Sequence, residues 1–107
     1  MLFDQGTPAP LRQALLGHEV TIAHERGWSQ LLNGALFEAA EGAAFEVLVT
    51  TDKNLKYQQN LAGRRLAVIV LLTTSWPRIR LNLAPVVAAV NGARSGSYIE
   101  LEVPPAP

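Results

Sequence analysis

Asp4 and Asp52 are the side chains of this sequence whose type and setting suit chemistry most directly. Asp4 follows the short apolar run Leu2-Phe3, and Asp52 follows Val47-Leu48-Val49-Thr50-Thr51. Each stands where a strand should end, as do Thr73, Thr74 and Ser75 after the apolar run 66–72. Mg²⁺ and Mn²⁺ take oxygen ligands and keep several waters, so one or two carboxylates suffice to hold such an ion. The ion can then activate water and offset charge on a phosphoryl group. The plainer reading makes each aspartate the cap of the helix after it. Both readings stay open for the pair.

Other chemistry finds less support. There is no cysteine, so disulfides, thiolate nucleophiles and thiolate metal sites are excluded. His18 and His24 are six positions apart, a spacing that does not bring two imidazoles to one ion. No glycine-rich phosphate-binding loop is present. Trp28 and Trp76 offer faces for stacking a base, though burial against a helix is the more usual role of each.

The elements that must position these residues alternate. Strands are expected at Leu2-Phe3, at Val20-Thr21-Ile22-Ala23, at Val47-Leu48-Val49-Thr50, over 66–72 and over 97–103. Helices are expected after Thr7-Pro8, from Asn33 to Gly42, over 55–61, and from Ser75 onward, with Pro85 kinking or splitting the last. Alternating strands and helices make βαβ units, right-handed crossovers and a parallel sheet. In such a sheet chemistry gathers at the carboxyl ends of the strands. Those ends are Asp4-Gln5, His24-Glu25, Thr50-Thr51-Asp52 and Thr73-Thr74-Ser75. The segment 97–103 alternates Ile99, Leu101, Val103 with Tyr98, Glu100, Glu102, as a half-exposed edge strand does.

The chain of 107 residues, 49% apolar, is sized for one domain with a real core. No apolar run is long enough to span a membrane, and the first residues do not read as a secretory signal. Net charge is zero, but its distribution is uneven. Residues 1–52 hold seven acids against Arg12 and Arg26, and residues 53–99 hold seven bases and no acid. The blocks either neutralise each other across the fold or set carboxylates beside a phosphate-binding rim.

Three segments carry a resemblance in their order: Leu2-Phe3-Asp4 before a Pro-containing stretch, Gly17-His18-Glu19-Val20, and Val49-Thr50-Thr51-Asp52-Lys53-Asn54-Leu55. Together they resemble the compact PIN-like proteins, a short-chain branch of the PIN nuclease superfamily often found beside small antitoxin-like partners. The resemblance spans nearly the whole chain. It implies a divalent-metal site and RNA cleavage by activated water, with Asp4 and Asp52 matching the first and the strand-three acids. Two positions depart from the pattern: Asn54 and Asn33 stand where the family carries acids. Asn can lend a carbonyl oxygen but no charge. Glu38 is the nearest acid to Asn33 on the same helix, about 7.5 Å further along its axis, and completes the candidate catalytic set Asp4, Asp52 and Glu38.

The expectation is therefore a single PIN-like domain over 1–107. It is a three-layer α/β sandwich with four parallel strands, helices on both faces and a C-terminal, antiparallel edge strand. The expected activity is that of a toxin-like, Mg²⁺- or Mn²⁺-dependent endoribonuclease, cytoplasmic and with no membrane contact. Asp4 and Asp52 hold the ion. Thr50, Thr51 and Ser75 orient water or phosphate, with Asn33 and Asn54 in support, while Lys53, Lys56, Arg64 and Arg65 hold the RNA backbone. The alternative is a PIN-like protein- or RNA-binding module that no longer cleaves. Expected partners are RNA, a small antitoxin protein and a second copy meeting at the edge 97–103.

Overall fold

Consecutive apolar and β-branched residues favour strands covered on both faces. The computed structural model, which describes residues 1–31, 33–58 and 60–105, puts its longest strands at such runs. The strands are β1 (Leu2–Phe3), β2 (Thr21–Ile22), β3 (Val47–Thr50), β4 (Ala67–Leu71) and β5 (Tyr98–Leu101). Between them lie 3-10 turns at Ala9–Ala14 and Ala23–Arg26. The helices are α1 (Asn33–Gly42), α2 (Leu55–Gln58), α3 (Trp76–Arg80) and α4 (Leu83–Gly92). Asn33 opens α1, but its side chain lies outside the described part of the molecule, as do Gln59 of the expected helix and Ala106 and Pro107 of the tail.

One five-stranded sheet, in the order β2-β1-β3-β4-β5, holds every strand. All pairs are parallel. The antiparallel edge strand expected at the C-terminus is thus corrected: β5 runs with β4, Val68 opposite Tyr98 and Leu71 opposite Leu101. The cause is the connection, since α3 and α4 return the chain to the amino edge before β5 starts. The sheet has five parallel strands rather than the expected four, and β5 does lie at an edge.

Successive strand residues point to opposite faces, and they feed two separate cores. Leu2, Leu48, Val68 and Val70 pack with Leu36, Phe37 and Ala40 of α1 and Leu55 of α2. Phe3, Val49, Ile69 and Leu71 pack with Leu11, Leu15, Ile79 of α3, and Val86 and Val90 of α4. The two clusters fix the strand register, because a slip of one residue would exchange the faces. Pro85 acts by splitting. The helical stretch breaks at Leu81-Asn82, which leaves Pro85 in the first turn of α4, where its missing N–H is not needed.

At the β5 edge Tyr98 Oη donates to Glu100 Oε2 at 2.7 Å, and Lys56 Nζ lies 2.9 Å from the same oxygen. Burial, aided by the proton shared with Glu100, pushes the Tyr98 phenol above its ordinary value. The unfolded phenol ionises near pH 10 or so, whereas the folded one keeps its proton there. The folded state then binds more protons than the unfolded, so stability from this group is present below about pH 10 and lost as pH rises. Tyr98→Phe is expected to flatten the alkaline limb of a stability-versus-pH curve, measured by urea melts from pH 8 to 11. Among the described residues, no helix is long and apolar enough to cross a membrane.

Candidate functional site

The strand order reverses between β1 and β3, and the crevice outside their carboxyl ends is the ligand position of doubly wound sheets. Asp4 follows β1 directly, and Asp52 lies two residues past β3. The ladder continues through Asp4, whose N–H donates to Val49 O at 3.1 Å. Neighbouring strands are about 4.8 Å apart, so the sheet brings both carboxylates to one place.

Asp4 is saturated. Its Oδ1 accepts from Thr7 N at 3.0 Å and Thr7 Oγ1 at 2.6 Å, and its Oδ2 accepts from Thr50 Oγ1 at 2.5 Å and Thr51 N at 3.3 Å. A carboxylate offers about four lone-pair sites, and all are used. Thr7 and Thr50 are themselves buried, and the Thr7 hydroxyl also lies 3.0 Å from Val49 O. Thr7 does not cap the helix expected after it. The helical segment starts later, at Ala9, and as a 3-10 turn with Pro8 ahead of it, so Thr7 folds back onto Asp4 instead. The spacing Asp4-x-x-Thr7 is the sequence signal for this turn, since an Asp side chain commonly takes an N–H close ahead in the chain.

Asp52 is different. Its Oδ1 accepts from Asn54 N at 2.9 Å, which forms a local turn leading into α2. Its N–H donates to Thr50 Oγ1 at 3.0 Å, so the Thr50 hydroxyl links the two aspartates. The Oδ2 of Asp52 is buried and has no hydrogen-bond partner among the described residues. A buried carboxylate oxygen without a donor is costly. It calls for a water or a cation.

Asp4, Thr50 and Asp52 line one cavity of about 160 Å³, walled by Leu31, Leu36, Leu48 and Leu55. The donors there are all oxygens, which suits Mg²⁺ or Mn²⁺ rather than a soft metal. Two carboxylates with water complete such a coordination shell, and the open ligand position is Asp52 Oδ2. Asp4 could join only by releasing a hydrogen bond, and the longest is the one from Thr51 N. Among the described residues no group of three acids or imidazoles forms.

The remaining candidates separate. Glu38 does not line this cavity: it points to Arg64, with contacts of 2.8 and 3.2 Å, because it lies on the far turn of α1. Ser75 is a helix cap, its Oγ accepting from Arg78 N at 3.3 Å. Thr51 flanks the site, and Gly6 leaves room for its hydroxyl where it stands. A Cβ on Gly6 would meet Thr51 Oγ1 at 2.2 Å. Asn54 and Lys53 share with Asp52 a neighbouring cleft of about 350 Å³. His18 pairs with Asn91 at 2.7 Å, away from the carboxyl ends of the strands.

Arg64 and Arg65 lie on the wrong edge for holding a strand of RNA over the aspartates. They precede β4, so the sheet puts them at its amino edge, about 16 Å away along five residues. Arg64 is engaged by Glu38 and by Glu41 at 2.7 Å, and these contacts hold its guanidinium above the usual arginine value. Arg65 borders a cleft of about 340 Å³ at the same amino edge. Lys56 is committed to Glu100. Lys53 alone of the four follows a strand's carboxyl end and forms no ion pair among the described residues. On the expectation of single-stranded RNA as partner, Lys53→Ala reduces the slope of log affinity against log salt by about 0.7. Arg64→Ala and Arg65→Ala should leave it unchanged, as filter binding at several salt concentrations will show.

Comparison with protein-family models, with curated proteins and with solved structures finds no match.

Proposed function

We propose that the protein is a divalent-cation-dependent ribonuclease of the PIN-like kind, acting in the cytoplasm, with Asp52 as first ligand of the ion and Asp4 as second. The observation that carries this reading is the buried Oδ2 of Asp52, without a partner among the described residues, in a cavity shared with Asp4 at the point where strand order reverses. When bound, the ion supplies activated water and offsets charge on a scissile phosphate. The chain's own residues supply position. Thr7, Thr50 and Thr51 clamp Asp4 in one rotamer, Thr50 ties it to Asp52, and Lys53 attracts the phosphate backbone at the rim.

A second reading is supported by the small number of acids. With two carboxylates and Asn54 nearby, the same site suits an RNA-binding module that holds a cation without turnover. Incubation with a pool of single-stranded RNA and Mn²⁺ separates the two. The nuclease cleaves, and EDTA stops it. RNA retained on the protein and recovered intact after prolonged incubation would overturn the nuclease in favour of the module.

A further inference from the structure

Three cavities meet at the carboxyl edge of the sheet. The cavity of Asp4 and Asp52 shares Gln5 and Gly6 with a cleft of about 370 Å³ on one side. It shares Asp52 with the Lys53 cleft on the other, and Thr74 lines both outer clefts. Through these shared residues the two outer clefts flank the cavity of the acids along one edge of the sheet. The wall of the 370 Å³ cleft is unlike the rest: it brings the indole of Trp76 and the imidazole of His24 together with Pro8 and Ile22. Trp76 is half-buried, packed on the core at one side while bordering the cleft at the other. Gln5 stands at the junction, its Nε2 donating to Ser29 O at 3.0 Å, which leaves Oε1 as an acceptor.

We infer that this cleft is a nucleobase subsite, in which a base lies against Trp76 and His24. The inference rests on the ribonuclease reading for the occupant of the adjoining cavities. Its volume is at the low end of the range for small-molecule pockets, roughly 300–1,000 Å³, which suits one planar ring system. An aromatic wall with a few polar groups at its rim is what a base requires, a π-face to stack on and partners for its edge. Adjacency supplies the rest of the nucleotide. A base beside Trp76 has its sugar and phosphate running over Gly6 and Thr74, toward Asp52 and the ammonium of Lys53. Gly6 keeps that floor low, since a Cβ there would force the Thr51 hydroxyl to turn away.

The test compares adenosine 5′-monophosphate with ribose 5-phosphate, which carries the phosphate without the base. Trp28→Phe leaves Trp76 as the only indole, and titrations are read by its fluorescence in EDTA and then in Mn²⁺. The nucleotide is expected to quench Trp76 and to bind about tenfold more tightly than the sugar phosphate. Trp76→Ala should bring the two ligands together and Trp76→Phe should keep them apart, both read by calorimetry in the otherwise unchanged chain. The calorimetry also serves if Trp28→Phe does not fold. Equal affinity for the two ligands in the unchanged chain would overturn the subsite. Failure of the cation reading looks different: base-dependent binding persists in EDTA while Mn²⁺ shows no saturable binding.

Discussion

Asp4→Ala is expected to destabilise the protein by about 3 kcal/mol and to lower Tm by about 12–20 °C. Four donors converge on this one carboxylate, two of them hydroxyls of buried threonines. Charge-assisted bonds of this kind are about twice as strong as neutral ones, and a buried donor left without a partner costs ~1–3 kcal/mol. The sum is less than four such costs. Thr7 Oγ1 keeps Val49 O, Thr7 N keeps Asp4 O, and Thr50 Oγ1 still accepts from Asp52 N. Asp4→Asn should recover part of the loss, because one amide oxygen still serves Thr7. Thermal denaturation of the two variants beside the parent is the check. A melting point within about 2 °C of the parent for Asp4→Ala would mean that the four bonds contribute little.

On the ribonuclease proposed above, Asp52→Asn should do the opposite: leave stability within about 0.5 kcal/mol of the parent, the low end of one hydrogen bond's net worth, while cleavage falls. Asparagine still offers an oxygen to Asn54 N, and the oxygen it replaces had no partner among the described residues to lose. The charge at the open ligand position disappears. Loss of a group merely supporting a metal ligand costs about 10–100-fold in affinity or activity, so removal of the ligand charge should reach at least the upper figure. Initial rates on single-stranded RNA with Mn²⁺, paired with a melt of the same sample, measure both quantities. A large drop in Tm would show that Asp52 is structural, like Asp4.

The contrast between the two aspartates is not legible in their place along the chain, because both come after apolar runs and both precede helical segments; only Thr7, three residues past Asp4, hints at it. Their common edge is legible. Alternating strands and helices imply a parallel sheet, and a parallel sheet gathers the residues just beyond each strand at one end. That β1 and β3 are neighbours decides whether the acids meet, and strand order is a long-range property with no local signal in Leu2-Phe3 or Val47–Thr50. The clean alternation over 97–103 suggests an antiparallel edge. Its source is that Glu100 and Glu102 face solvent at the sheet's rim, and this says nothing about direction. The helices before it carry the chain back across the sheet, and β5 therefore runs parallel to β4.

Arg64 and Arg65 obey the same logic. Residues just before a strand lie at the amino edge by construction, so two arginines ahead of β4 are not placed to meet aspartates beyond the ends of β1 and β3. The partners of Arg64, Glu38 and Glu41, are one helical turn apart on α1 and form a local neutralising patch with it. Glu38, expected as a third acid, is engaged there for the same reason. Of the two charge blocks, Arg64 joins one to the other through Glu38 and Glu41 of α1, whereas Lys56 pairs with Glu100 of β5 and Arg12 pairs with Glu25 inside the first block, at 2.6 Å.

Calorimetric titration of the whole chain with Mn²⁺ tests the assignment of the two aspartates most directly. One saturable site per chain is predicted, lost in Asp52→Asn although that variant melts with the parent. No saturable Mn²⁺ binding, or binding that Asp52→Asn leaves unchanged, would contradict it.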